Sequence, residues 1–314
     1  MVRIPPERTV MAEQQSRDPV VILAPPHSFT SVLAAMLGQH PQLYGVPELN
    51  LAVADTMAER TIQLDRWRFA EHGLLRAVAQ LLAGSQTVET IVLARAWLAV
   101  RQHSPCMAIF RELSERVAPR RIVEKSPLNC WRPEFLQRLR AAMPNTYWIH
   151  LVRNPKTQGA SVDRNWRDAA AVSLDAFDRS TNPPTIDFQR PWFVIHMNIL
   201  NFLRGVPASH QMRLRGEDVL REPDQHLAGI AAWLGVTYNS AAIEAMKHPE
   251  ASAYACLGPV NSLFGNDPEF LRSPALRKPS TSQEIALAGP VSWRNDGKGL
   301  SPEVTQLARH FGYK

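Results

Sequence analysis

The chain has 314 residues, 45% hydrophobic and 20% charged, the make-up of an ordinary soluble protein with ample material for a buried core. Its net charge of +6 is modest, and no Lys/Arg run is interleaved with aromatics, which argues against a nucleic-acid partner and for a small polyanionic ligand. Cys106, Cys130 and Cys256 are widely spaced, with no CxxC, Cys/His quartet or HExxH, so neither a disulfide framework nor a metal site is expected, and a cytoplasmic setting is. No apolar run is long enough to span a bilayer.

Met1 to Asp18 is polar and contains Pro without an apolar h-region, so it reads as a loose tail rather than a signal peptide. Residues 19–314 read as one domain. Val20–Ala24 is a strand-like run that stops at Pro25-Pro26. Thr30–Leu37 follows as a helix apolar nearly all round and closed by Gly38. The turn between them offers hydroxyls and backbone N–H groups at a helix N-terminus, where an anion is stabilised without a metal. His40-Pro41 breaks the chain, and Tyr44–Leu49 forms a short second strand ending near Glu48.

Residues 51–117 read as mostly helical, with Gly73–Ala83 and Thr87–Gln102 carrying apolar residues at three-to-four spacing. Arg121–Glu124 is a further strand, and Pro133–Ala142 a helix that starts on Pro. Tyr147–Val152 stops at Arg153-Asn154-Pro155 and restarts as a helix carrying Ser161, eight residues beyond the Arg. Pro191–Val206 is a helix rich in Trp, Phe, Ile and Leu. Gln211–Arg215 is a strand, and Pro223–Leu234 a helix closed by Gly235. Residues 249–299 hold Pro259, Pro268, Pro274, Pro279 and Pro290 and no sustained period, which predicts a long loop. The alternation of strands and helices predicts an α/β fold with a central parallel sheet flanked by helices on both faces.

Five blocks, in order, resemble the sulfotransferase family. Pro26-His27-Ser28-Phe29-Thr30-Ser31, followed by His40-Pro41 and Glu48, is similar to that family's 5′-phosphosulfate loop, commonly Pro-Arg/Lys-Ser-Gly-Thr-Thr. Leu151-Val152-Arg153-Asn154-Pro155 with Ser161 resembles its 3′-phosphate site. Glu124-Lys125-Ser126-Pro127 resembles its Glu-Lys-Thr-Pro, and Arg215-Gly216-Glu217-Asp218-Val219-Leu220 its Arg-Tyr-Glu-Asp-Leu segment. Trp293-Arg294 and Leu300-Ser301-Pro302-Glu303 resemble its C-terminus. Two departures stand in the first block: His27 replaces the usual Arg or Lys, and Phe29 the usual Gly.

The resemblance implies a P-loop-like fold and transfer of a sulfuryl group from 3′-phosphoadenosine 5′-phosphosulfate (PAPS) to a hydroxyl or amine, with no metal. Pro26 to Ser31 would hold the 5′ group, and Arg153 would fork onto the 3′-phosphate beside Ser161. Trp293 and Arg294 are assigned to the donor as well, with packing of the C-terminal segment as the alternative for Trp293. Glu48 is the expected general base. Lys125 and His27 are expected to stabilise charge on the transferring group or the bridging oxygen, which His27 does fully when protonated and more weakly as a neutral N–H donor. Structural alternatives stand beside these roles: Ser161 bonding within its own helix, Glu48 as a turn residue, Lys125 with its head in solvent. His103, His150 and His196 are expected to be structural, and Trp192-Phe193 to be helix core first and acceptor wall second.

The acceptor class stays open among small molecules, lipids and intermediates on a carrier protein, and so does the oligomeric state. The scattered Arg/Ala-rich composition suits a bacterial source. A catalytically weak nucleotide-binding module is the alternative that His27 and Phe29 favour. A P-loop kinase fits less well, because no Lys sits in the loop and Phe29 takes the second Gly's place. A Rossmann dehydrogenase would need a GxGxxG after a strand, and none is present.

Overall fold

The computed structural model describes residues 18–278 and 285–314. Of the expected tail, Met1 to Asp18, residues 1–17 lie outside them, as does Pro279 of the expected loop. Seven strands are assigned among these residues: β1 Val20–Leu23, β2 Leu43–Gly45, β3 Arg121–Glu124, β4 Tyr147–Val152, β5 Phe177–Asp178, β6 Thr185–Ile186 and β7 Gln211–Arg215. Five make one parallel sheet in the order β2-β3-β1-β4-β7, and β5 and β6 form a separate antiparallel pair. Val20 pairs with Val123 on one side and Tyr147 on the other, so β1 is the central strand.

All four residues of β1 are buried, as a strand covered on both faces must be. Alternation divides them between two cores. Val21 and Leu23, with Ile122 and Trp148, pack against the helices His72–Ala83, Cys106–Val117, Pro133–Ala142 and Gln189–Leu203. Val20 and Ile22, with Val123, Ile149 and Leu151, pack against Thr30–Leu37, Gly216–Arg221 and Pro223–Leu234. Each fully buried aliphatic side chain contributes roughly 1.5–3 kcal/mol, so both faces of the sheet are stabilised by the helices that cover them.

The predicted helical stretch resolves into Met57–Leu64, a 3-10 segment Asp65–Glu71, His72–Ala83, Val88–Ala99 and Cys106–Val117. The second strand is shorter than expected. It ends at Gly45, and the chain continues through Glu48 without strand pairing. The segment expected to be a loop carries a short helix, Pro268–Arg272, started by Asp267, whose side chain accepts from Glu269 N–H. Among the described residues no single helix is long and apolar enough to cross a membrane.

Candidate active site

In a parallel sheet the carboxyl ends of the strands all open on one side, and ligands bind in the crevice there. The ends of β1, β3 and β4 meet at such a cleft of about 690 Å³, lined by Pro26, His27, Phe29, Thr30, Ser31, Glu48, Arg153 and Ser161. After β1 the chain turns through His27 and Phe29, with φ of 59° and 64° flanking Ser28. A left-handed residue beside a right-handed one turns successive N–H groups into one concavity. Phe29 starts the Thr30–Leu37 helix without a side-chain cap, and the first turn holds no acidic residue. Its N–H donors are therefore offered to something other than a capping side chain. Ser28 Oγ is fully buried and has no hydrogen-bond partner among the described residues. A buried unsatisfied hydroxyl costs about 1–3 kcal/mol, which an anion in this concavity would recover.

Lys125 arrives from the end of β3. Its side chain is 0% exposed, and its Nζ donates to Ser31 Oγ at 2.9 Å and to Glu48 Oε1 at 2.7 Å. It therefore ties the anion cradle to the carboxylate expected as base. The segment bearing Glu48 is held on several sides. Glu48 N–H donates to Gly265 O, and Asn50 N–H to Ser126 Oγ. The buried Arg60 donates to the carbonyls of Leu49 and Asn50, each at 2.9 Å. Gly73 lets this backbone in close, since a Cβ there would lie 2.1 Å from Glu48 O.

Behind Lys125, Glu124 accepts from Ser126 Oγ and from Asn129 Nδ2. Burial pushes its carboxyl up to about 7, against the lowering effect of Ser126 and Lys125 and with some help from Glu48. Glu124, Ser126 and Asn50 thus form a relay that fixes the segment bearing Glu48 to the end of β3.

Arg153 leaves the end of β4. Its Nη1 donates to His27 O at 2.6 Å, its Nε to Thr157 Oγ1 at 3.1 Å, and its guanidinium lies 4.1 Å from the Phe29 ring centroid. The same ring fills the space over Gly216, where a Cβ would stand 2.5 Å from Phe29 Cδ2. Ser161 Oγ lies 3.2 Å from His27 Nδ1 rather than bonding within its own helix. Gln158, on the same helix, donates to Pro26 O at 2.7 Å.

The structure thus brings Pro26 to Ser31, Glu48, Lys125, Arg153 and Ser161 together. It places the last two predicted residues elsewhere. Trp293 is buried and donates to Asp187 Oδ1, packing against Phe188 and Val162. The Arg294 guanidinium is 1% exposed and bound by Asp178, Asp187 and Asp296. Neither lines the cleft; their packing and ion pairs tie the C-terminal segment to Val162, Asp178, Asp187 and Phe188. Trp192 is core, with its Nε1 donating to Arg153 O. His150 and His196 bond each other at 2.9 Å in the interior, and burial pushes both imidazoles down, His196 to about 3.

Two contributors were not foreseen. Asp267 reaches in from the late segment, its Oδ2 3.1 Å from His27 Nδ1, while its N–H donates to Ser31 Oγ. Asp267-Pro268 is legible as a helix start, but nothing local says that this start faces residue 27. The second is an aromatic wall of Trp67, Phe69, Trp131, Trp166 and Phe264, in which Trp67 meets Trp131 and Phe69 meets Trp166 at ring centroids 5.3 and 5.1 Å apart.

A carboxylate tied to a buried lysine thus stands beside an uncapped helix start at the carboxyl edge of a parallel sheet. The sequence model described as "Sulfotransferase family" matches residues 19–240, and the chain belongs to that family. Among solved structures it is similar to the sulfotransferase domain from the curacin biosynthetic pathway, with 24% identity, a TM-score of 0.75 and coverage of 96% of this chain and 99% of that one. It is also similar to the sulfotransferase domain of the Synechococcus PCC 7002 olefin synthase, with 24% identity, a TM-score of 0.71 and coverage of 98% and 99%. At this identity the likeness speaks for the fold. No functionally curated protein matches the chain.

Proposed function

We propose that the chain transfers a sulfuryl group from PAPS to a hydroxyl on an apolar acceptor. The observation that carries this reading is Lys125, which bonds Ser31 of the anion cradle and Glu48 at once. The cradle fits a phosphosulfate: Ser28 Oγ is an orphaned buried donor, and the first-turn N–H groups carry no side-chain cap. Bound there, PAPS would supply the sulfuryl group and a stable leaving group.

The protein's own residues then have distinct tasks. Ser28, Thr30 and Ser31, with their backbone N–H groups, hold the 5′ end at the positive end of a helix. Arg153 and Ser161 are the residues for the 3′-phosphate, a guanidinium matching phosphate geometry bidentately. Glu48 Oε2 is available to take the acceptor proton, since Lys125 engages Oε1. Lys125 neutralises charge developing between the cradle and Glu48. The aromatic wall excludes water and selects apolar acceptor bodies, free or carrier-bound.

Calorimetric titration with 3′,5′-bisphosphoadenosine, against AMP and ATP with Mg²⁺, tests the donor site. We expect metal-independent binding of the bisphosphate, weakened about 30-fold or more by Arg153→Ala. Preference for ATP with Mg²⁺, or no binding, would sink the reading. A second reading, a nucleotide-binding module with little turnover, draws on Asp267, an anion among the cations of the cradle. Absence of transfer by the parent protein across a panel of hydroxyl acceptors, despite bisphosphate binding, would favour it.

A further inference from the structure

His27 stands where the family commonly carries a permanently charged side chain. An imidazole has two nitrogens, and which one holds the proton is set by the partner of the other. A histidine at such a place can act in one defined way only if something fixes which nitrogen holds the proton.

Asp267 is built for that. Its backbone N–H donates to Ser31 Oγ at 2.9 Å. Its Oδ1 caps the Pro268–Arg272 helix by accepting from Glu269 N–H at 2.8 Å. These two contacts leave Oδ2 for His27 Nδ1 at 3.1 Å. The pair is sheltered, with side-chain exposures of 8% for His27 and 23% for Asp267. Burial by itself would raise the Asp267 carboxyl, but the His27 hydrogen bond and charge outweigh it, with Glu269 N–H and Lys125 adding to them, and hold it at about 2. Ser161 Oγ, 3.2 Å from the same nitrogen, closes that edge of the ring. Among the described residues Nε2 has no protein partner.

We propose that Asp267 is a positioning residue for His27: it fixes a proton on Nδ1, so that Nε2 is left as the ring's acceptor when the imidazole is neutral and as a second N–H donor when it is protonated. This rests on the sulfotransferase reading for its purpose, but the pair itself can be tested without it. The variant is Asp267→Asn, in which Asn keeps the helix cap and the backbone donor while removing the charge.

Histidine ¹⁵N NMR, with His27→Gln to assign the signal, reads the tautomer directly. We expect Nδ1–H in the parent and a shift toward Nε2–H in Asp267→Asn; the same tautomer in both would overturn the proposal. In transfer assays Asp267→Asn should lower kcat about tenfold or more, with bisphosphate affinity within about twofold of the parent. In a His27→Ala background it should have almost no further effect, because the two residues act as one unit. An equal loss in both backgrounds would show that Asp267 acts independently and overturn the proposal. If the parent neither binds bisphosphate nor transfers, the donor reading fails, and the NMR arm still decides for or against Asp267.

Discussion

The two sides of the cleft are built by different means. The cradle side comes from strand ends: the turn after β1, Lys125 after β3 and Arg153 after β4. Its contacts are polar and short, between 2.6 and 3.2 Å. The facing wall comes from Trp67 and Phe69 of the 3-10 segment, Trp131, Trp166 at a kink in the Pro155–Ser173 helix, and Phe264. It is apolar and partly open, with Phe69 40% exposed. Hydrogen bonds to a fixed backbone demand particular residues at particular spacings. Apolar packing asks only for shape and bulk. The cradle should therefore tolerate almost no substitution, whereas the wall should change with the acceptor.

The largest test of that contrast is Glu48→Gln. We expect transfer to fall by about 10²–10⁴ with bisphosphate affinity nearly unchanged; a matching loss of affinity would make Glu48 part of the donor site instead. The relay behind the cradle gives the next effect. Glu124 is buried with its carboxyl raised from 4.5 to about 7 by desolvation. The folded chain therefore keeps a proton that the unfolded chain gives up. This contribution is full below about 4.5 and is lost as pH rises through about 7. Relative to Glu124→Gln, the parent should lose about 2 kcal/mol between pH 5 and 8, read by urea unfolding at both pH values. A pH-independent difference would mean that Glu124 is ionised throughout.

On the wall, Phe69→Ala should raise the acceptor KM about three- to tenfold and leave bisphosphate binding within about twofold. Weaker bisphosphate binding would erase the division between the two sides. The smallest effect is expected from His27→Arg, a rise in turnover of a few-fold, about 1 kcal/mol or less, if a permanent cation there serves better than a paired histidine. Unchanged or lower turnover would mean that the His27–Asp267 pair already does the task.

The same contrast explains what the sequence discloses. β1, β3, β4 and β7 are short strand-like runs ended by Pro, charge or Gly, and their bounds are legible to within a residue. Residues 26–31, Glu48, Lys125, Arg153 and Ser161 sit in local patterns whose chemistry is legible, and parallel topology brings them to one edge. Asp267 and the wall are not legible in this way. Their placement depends on how segments far apart in the chain pack, such as Phe69 against Trp166 and Asp267 against His27, and no local period encodes that. Trp293-Arg294 marks the opposite limit: the residues match a familiar block, yet Asp178, Asp187 and Asp296 claim the guanidinium. The kink at Trp166, with φ of −145°, likewise leaves no Pro or Gly as a sign.

Phe29 and Gly216 have a historical consequence. In the family pattern, the loop commonly has Gly where this chain has Phe29, and the later segment has Tyr where this chain has Gly216. The Phe29 ring lies 2.5 Å from the point where any side chain at 216 would begin. A lineage exchanging one arrangement for the other cannot add the second ring while the first remains. It must pass through a form with glycine-like space at both positions and a bare hollow beside Arg153. The two positions should therefore vary together across descendants of this chain, and a laboratory Gly216→Tyr exchange should succeed only when Phe29 is replaced by Gly as well.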